Sequence, residues 1–146
     1  MAITVLKDYE ERQQLNELHR QVLYRLCFSS LVVNCTKYVE LCRKYSRVFN
    51  EEIPEFNKLR NKFNEAINQR GIVAFRNDYI GHIHSKKLQR PLTDEEVQQN
   101  FISILGADNT LEFFNWICPD DISNTDKTKS LVGVIELMRD ALEPKL

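Results

Sequence analysis

The chain contains few residues that break helices. Its 146 residues include only four glycines and four prolines, which argues against a disordered or irregular chain. There is no glycine-rich phosphate loop, and no apolar run approaches the ~18–20 residues needed to span a bilayer. Residues 1–6 lack the basic flank and apolar block of a signal peptide. We therefore expect a cytoplasmic protein with no membrane association and a single domain over residues 1–146.

Cysteine is scarce, and its spacing does not favour disulfides or zinc. Cys27, Cys35 and Cys42 lie eight and seven residues apart, which places them on roughly one side of a helix. Thiols on one helix do not easily reach one another, and there is no CxxC pair. We predict that they are small buried apolar residues, and we expect no metal and no cofactor.

Charge is unevenly distributed although the net charge is only −1. Residues 58–90 carry eight basic and two acidic residues, a local charge of +6, whereas residues 91–146 carry four basic and eleven acidic residues, a local charge of −7. The basic segment suggests an anionic ligand, although any single lysine in it fits a solvated helix face equally well. The acidic third either contacts a basic partner or limits nonspecific nucleic-acid binding.

The apolar pattern predicts an all-α protein, an up-and-down bundle of about five helices. In the first 45 residues or so the pattern indicates either one long helix whose buried face changes or two helices with a bend. The second stripe keeps a heptad register, so it packs against another helix, either internal or from a second copy. The two stripes are Leu15, Leu18, Val22, Leu26 and Ser29, then Leu31, Cys35, Tyr38, Cys42, Tyr45 and Phe49.

Turn and capping signals place the remaining helices. Pro54 suits a first helical turn before a helix that reaches Ile67. Thr93 and Glu96 form a capping box that starts a helix ending near Gly106. A short helix is predicted from about Asn109, and a last amphipathic helix over residues 131–142.

The chemistry is concentrated in residues 75–84. Arg76 offers a permanent planar cation that grips phosphate oxygens with two hydrogen bonds, and His82 offers a proton donor or acceptor near neutral pH. Asn77 is suited to orient either one. On an ideal helix Arg76 and His82 would lie about 120° apart, so we expect Gly81 to end or bend the helix and swing the imidazole back. Alternatively, each group faces a cleft shared with a second chain.

The segment Phe75–His82 resembles the arginine–polar–histidine signature of the HEPN superfamily, most closely its abortive-infection and toxin–antitoxin branch. The match is specific over about ten residues, and the helix layout extends it. The resemblance implies an all-α HEPN-like fold and metal-independent RNA cleavage by a homodimer, in which the ribose 2′-hydroxyl attacks the adjacent phosphate. It assigns His82 as general acid/base, Arg76 to the phosphate and Asn77 to orientation. The second protomer's His82 would take the complementary acid/base role, and an antitoxin protein would be a possible partner.

Several neighbours extend this candidate site. His84 is a possible auxiliary acid/base group at a position where some family members carry tyrosine. His82 and His84 together are too few ligands for a metal. Lys86, Lys87 and Arg90 are candidate RNA phosphate contacts, or belong to a solvated loop.

Two other interpretations remain open at the level of sequence. One is a non-catalytic HEPN-type nucleotide-binding, RNA-binding or adaptor module, in which His82 matters less than in a nuclease. The other is a purely structural helical protein whose Leu31–Phe49 face recruits a partner helix. Arg76 itself could instead form a salt bridge with Asp78 or with an acidic residue elsewhere.

Overall fold

The predicted all-α fold is confirmed by a computed structural model of the chain, which describes residues 2–12, 17–80, 90–106 and 109–145. These residues form eight α-helices and contain no β-strand. No helix among them is both long enough and apolar enough to cross a membrane. The helices are α1 (Ala2–Arg12), α2 (Glu17–Lys44), α3 (Ser46–Glu52), α4 (Asn57–Gln69), α5 (Ile72–Phe75), α6 (Asp94–Leu105), α7 (Thr110–Ile117) and α8 (Leu131–Leu142).

The long helix α2 is the centre of the fold, and its heptad stripe faces the interior. Leu31, Cys35, Tyr38 and Cys42 are all buried, and α2 contacts α1, α4 and α5. The helix partner that the stripe requires is therefore internal. Tyr45 departs from the pattern because the chain turns between α2 and α3, which leaves this side chain 44% exposed.

The upstream stripe lies on a different face of the same helix. α2 continues without a break from residue 17 to residue 44, so the predicted bend is absent. The predicted change of buried face is also wrong, because the buried residues of this part, Cys27 and Phe28, continue the face of Leu31. Val22 is 52% exposed and Leu26 is 68% exposed. Leu15 and the side chain of Leu18 lie outside the described residues.

The three cysteines of α2 are buried free thiols, as predicted. Burial raises the pKa of the Cys35 thiol to about 12 and also raises the pKa values of Cys27 and Cys42. Deprotonation would place a thiolate among apolar side chains, which burial disfavours. These cysteines contribute to packing and are poor nucleophiles.

Local capping determines where α6 and α7 begin. Thr93 accepts a hydrogen bond from the Glu96 amide, and Glu96 accepts one from the Thr93 amide, which confirms the predicted capping box. Asn109 and Glu112 form a second box at the start of α7. Each box satisfies two amides that the first helical turn leaves without partners.

A buried lysine joins the N-terminal helix to the end of α7. Lys7 is 7% exposed, and its Nζ donates to Asn115 Oδ1 at 2.7 Å, to the Cys118 carbonyl at 3.0 Å and to Asp120 Oδ1 at 2.7 Å. All three protons of the ammonium group are thus used, which is how a buried charge becomes tolerable. This cation is structural.

Candidate functional site

A left-handed glycine redirects the chain just before the candidate site. Gly71 has φ of 73°, a conformation that side chains with a Cβ disfavour, and it separates α4 from the short helix α5. α5 is anchored by two buried residues, Ile72 and Phe75. Gly71 therefore follows the end of α4, the helix predicted to reach Ile67, and fixes where the next turn begins.

A π-helical turn, Arg76–Ile80, follows α5 directly. Phe75 anchors its start: the ring stacks on Tyr79 at 5.1 Å between centroids and meets Phe101 edge-on at 5.3 Å. π-helical turns are rare and often occur at functional sites. Arg76 and Asn77 thus extend from a widened turn whose base is held in the core.

Arg76 keeps most of its hydrogen-bonding capacity. Its Nη1 donates to Asn77 Oδ1 at 3.1 Å, and its Nη2 lies 4.0 Å from Glu40 Oε1, which is ion-pair distance but not hydrogen-bond distance. The side chain is 36% exposed. A guanidinium carries five N–H donors, and among the described residues Asn77 accepts a hydrogen bond from one of them.

Glu40 is a site residue that the sequence did not single out. It lies on α2, its side chain is 48% exposed, and among the described residues it forms the ion pair with Arg76. The alternative of a salt bridge to an acidic residue is thus met by Glu40 and not by Asp78. Glu40 and Arg76 are 36 positions apart, so no local sequence pattern links them. They come together because the π-helical turn packs against α2.

The other predicted site residues divide into two groups. His82, His84, Lys86 and Lys87 lie outside the described residues. Arg90 is described, and its guanidinium grips Glu96 with two hydrogen bonds of 2.8 and 2.7 Å. Phosphate binding by Arg90 would have to compete with this carboxylate, so its predicted role in RNA binding stays a prediction.

An apolar groove lies elsewhere on the described part of the chain. About 500 Å³ in volume, it runs between the α2–α3 junction and α8, and no predicted site residue with a described position lines it. Its lining includes Leu41, Tyr45, Val48 and Ile135. Arg76 does not line this groove, so the groove is not part of the candidate site. Within the described parts of the chain, no three His, Cys, Asp or Glu side chains are placed to hold a metal ion.

An all-helical fold that presents an Arg-Asn pair on a π-helical turn, with a histidine six positions after the arginine, defines a protein of the HEPN class. The model of the HEPN-like integron domain family matches residues 10–110, and the chain belongs to this family. It is also similar to a solved structure, the integron cassette protein Vpc_cass2 from the mobile metagenome of V. paracholerae. Identity is 46% and the TM-score is 0.83, over 97% of this chain and 85% of that chain. No curated protein matches the chain.

These comparisons confirm the predicted superfamily and its HEPN-like fold. The more specific prediction of an abortive-infection or toxin–antitoxin branch stays a prediction, because the matching family is described by its integron context.

Proposed function

We propose that this HEPN-like integron domain is a metal-independent endoribonuclease that acts as a homodimer, of the toxin or abortive-infection type. The observation that carries the proposal is the state of Arg76. Its guanidinium is partly exposed, is oriented by Asn77 and has most of its donors directed to no described residue. Such a group is suited to two phosphate oxygens.

In the proposed reaction the ribose 2′-oxygen forms a bond to the adjacent phosphorus as the bond from phosphorus to the 5′-oxygen breaks. A base removes the 2′-hydroxyl proton, and an acid gives a proton to the departing 5′-oxygen. The products are a 2′,3′-cyclic phosphate and a 5′-hydroxyl. The atoms and charges of the reaction balance without any other reactant. Arg76 stabilises the charge that develops on the phosphate oxygens.

His82 is the proposed acid/base group, on the strength of the family motif. One imidazole does not readily serve as base and acid in the same step. A second group, contributed by the partner protomer, completes the site, and dimerisation is then part of the mechanism.

The charge distribution supports RNA as the substrate. Residues 58–90, which contain Arg76, carry a local charge of +6, and basic segments bind nucleic-acid backbones by releasing counterions. Lys86, Lys87 and Arg90 are the proposed additional phosphate contacts. His84 is a proposed auxiliary group.

The experiment is cleavage of a labelled RNA in excess EDTA by the parent protein and by Arg76→Ala and His82→Ala. We expect cleavage that resists chelation and is lost in both variants. Arg47→Ala is the matched control, because Arg47 is 87% exposed and its ion-pair partner among the described residues is the nearby Glu51. It removes a cation of the same kind and should cut RNA like the parent.

A different outcome would select the alternative function. If the parent binds RNA but leaves it whole, and His82→Ala binds as well as the parent, the chain is a non-catalytic binding or adaptor module. If Arg76→Ala cuts as fast as the parent, the assignment of Arg76 is wrong.

A further inference from the structure

Two lysines of α2 lie on either side of Glu40, the residue that forms the ion pair with Arg76. Lys37 precedes Glu40 by three positions and Lys44 follows it by four, and residues at these spacings are neighbours on the surface of a helix. Both lysines are exposed. At about 100° and 1.5 Å per residue, they lie within ~20° of each other around α2 and roughly 10 Å apart along it. We call them the α2 lysines.

Positive charge exceeds negative charge in this part of the molecule. Residues 37–44 of α2 carry three cations, Lys37, Arg43 and Lys44, and one carboxylate, Glu40. The π-helical turn that packs on α2 adds Arg76 and Asp78. Four basic and two acidic residues leave the two segments together with a charge of +2. An excess of this sign attracts an anionic ligand.

The α2 lysines are not neutralised within the described chain. Neither forms an ion pair with a residue that the structure describes, and Lys44 lies over the ring of Tyr45, 5.3 Å from its centroid. Several other cations each have a carboxylate partner at 2.5–2.9 Å, namely Arg25, Arg47, Arg90, Lys127 and Arg139. The contrast shows that the charge of the α2 lysines is available to a ligand.

We infer that Lys37 and Lys44 bind the two phosphates that flank the phosphate held by Arg76, so that single-stranded RNA lies along α2. The inference rests on the proposed function and deepens it, because it names a binding surface on a helix outside the basic segment 58–90. Residues 1–57 carry eight basic and eight acidic residues, so their overall charge gives no sign of this surface. It arises because α2 places both lysines beside Glu40.

The arrangement of the three cations suits three successive phosphates. The α2 lysines lie about one turn before and one turn after Glu40, so a phosphate at Arg76 falls between them along the helix. A lysine is a compact point charge that suits a phosphate in more than one orientation, whereas the planar guanidinium of Arg76 holds two oxygens of the central phosphate. A single strand also allows the 2′-oxygen to lie in line with the departing 5′-oxygen, because its bases are not held in a stacked duplex.

Two lysines of α4 provide a matched control pair. Lys58 and Lys62 are exposed and lie four positions apart on one helix. α4 packs on the other side of α2, since the Tyr38 hydroxyl donates to the Arg60 carbonyl at 3.3 Å and Tyr38 lies about 160° around α2 from Glu40. Removal of these two charges changes the net charge of the protein by the same amount and leaves the α2 lysines in place.

The first test measures binding and requires no cleavage. A labelled hexanucleotide without 2′-hydroxyls is titrated by fluorescence anisotropy at several KCl concentrations. The proteins are the parent, Lys37→Gln/Lys44→Gln and the control Lys58→Gln/Lys62→Gln. Each phosphate contact with a single strand contributes about 0.7 to the slope of log K against log[salt], so the slope of Lys37→Gln/Lys44→Gln should fall by about 1.4 and its affinity at ~0.1 M salt roughly 10–30-fold. The control should match the parent.

The variant Lys37→Arg/Lys44→Arg separates the effect of charge from that of side-chain shape. It keeps both positive charges, so it should bind with the affinity and the salt dependence of the parent. Four results would each overturn the inference: a parental slope for Lys37→Gln/Lys44→Gln, an equal loss in the α4 control, a loss in the arginine variant, or no binding by the parent.

The second test compares an RNA that has flanking phosphates with one that has none. The dinucleotide UpA has a single phosphate, whereas a hexanucleotide RNA supplies neighbouring phosphates on both sides of a central bond. The ratio of kcat/KM for the hexanucleotide to kcat/KM for UpA should fall about tenfold in Lys37→Gln/Lys44→Gln, through a higher KM for the hexanucleotide, because ground-state binding is lost. An unchanged ratio would contradict the assignment of the flanking phosphates to the α2 lysines.

The two proposals can fail separately. A salt slope that falls in Lys37→Gln/Lys44→Gln, in a protein that cuts no RNA, would leave the binding surface standing and remove the nuclease. RNA cleavage by a protein whose salt slope ignores both lysines would leave the nuclease standing and remove the binding surface.

Discussion

Arg70 and Arg76 lie six residues apart, yet their surroundings are opposite. Arg70 donates from Nη1 to the carbonyls of Ile104 and Leu105, at 2.9 and 3.0 Å, at the end of α6. Its guanidinium also lies over the rings of Phe113 and Trp116, at 5.3 and 4.8 Å. Arg76 has one hydrogen bond to a described residue, Asn77, and one carboxylate at 4.0 Å.

The difference separates an arginine whose donors are satisfied within the fold from one that we propose binds the substrate. Arg70 is held by carbonyls that a helix end leaves unsatisfied and by aromatic faces that attract cations. Its removal should affect folding. Arg76 is positioned by Asn77 and Glu40, but among the described residues only one of its donors forms a hydrogen bond. Its removal should therefore affect RNA binding and the cleavage rate.

The largest expected effect is on cleavage by Arg76→Ala. Loss of a group that stabilises transition-state charge typically lowers the rate by about 10²–10³-fold. The free energy of unfolding should change by no more than about 0.5 kcal/mol, as for other partly exposed side chains. Single-turnover cleavage and urea denaturation of the same preparation measure the two effects. Arg76→Lys keeps the positive charge but lacks the planar guanidinium. Its cleavage rate should therefore lie between those of the parent and Arg76→Ala.

That prediction fails if Arg76→Ala unfolds as readily as an Arg70 variant. Such a result would make the contact with Glu40 a structural ion pair and Arg76 a part of the packing between the π-helical turn and α2.

The second-largest effect is expected on the free energy of unfolding of Arg70→Ala. Arg70→Ala leaves two carbonyls at the end of α6 without that donor and removes a cation from two rings, which together should lower the free energy of unfolding by about 2–4 kcal/mol. Urea denaturation measures it, with Arg47→Ala as control, since an exposed i,i+4 pair contributes only about 0.3–0.5 kcal/mol. Equal losses in the two variants would contradict a structural role for Arg70.

A smaller effect is expected from Glu40→Gln. The carboxylate lies 4.0 Å from Arg76, and both side chains are well solvated, where such a pair is worth about 1 kcal/mol or less. Removing it should strengthen binding of a short 2′-deoxy analogue of the RNA up to about fivefold. Fluorescence anisotropy of the labelled analogue measures the affinity. The gain should shrink at high salt.

Glu51→Gln is the control for that change, because Glu51 pairs with the exposed Arg47. Weaker binding by Glu40→Gln would show instead that Glu40 positions the guanidinium and does not compete with phosphate.

What could be predicted from the sequence was local. The capping box of Thr93 and Glu96 and the end of α6 at Gly106 follow from side chains within a few residues of the helix ends. The buried stripe of α2 follows from its spacing. The Arg76–Asn77 contact joins adjacent residues, so the motif alone brought both groups together.

What could not be predicted depends on tertiary packing or on unmarked local geometry. Glu40 reaches Arg76 only because the π-helical turn packs on α2. The enclosure of Arg70 requires α6 and α7 to converge on it. The π-helical turn contains neither glycine nor proline, so no residue in it signals the widening. The sequence predicted about five helices, fewer than the eight among the described residues. Short helices such as α3 and α5 contain too few residues to show an apolar periodicity.

The smallest effect concerns a third arginine, Arg90, which is exposed and donates two hydrogen bonds to Glu96. Hydrogen bonds from Arg90 and then from the Thr93 amide lower the pKa of Glu96 from the ordinary 4.5 to about 2. A lowered pKa stabilises the fold above pH 4.5, and this contribution disappears as the pH falls through about 2. An NMR titration of the Glu96 carboxyl should therefore show an acid midpoint well below 4.5, and Arg90→Ala should raise it.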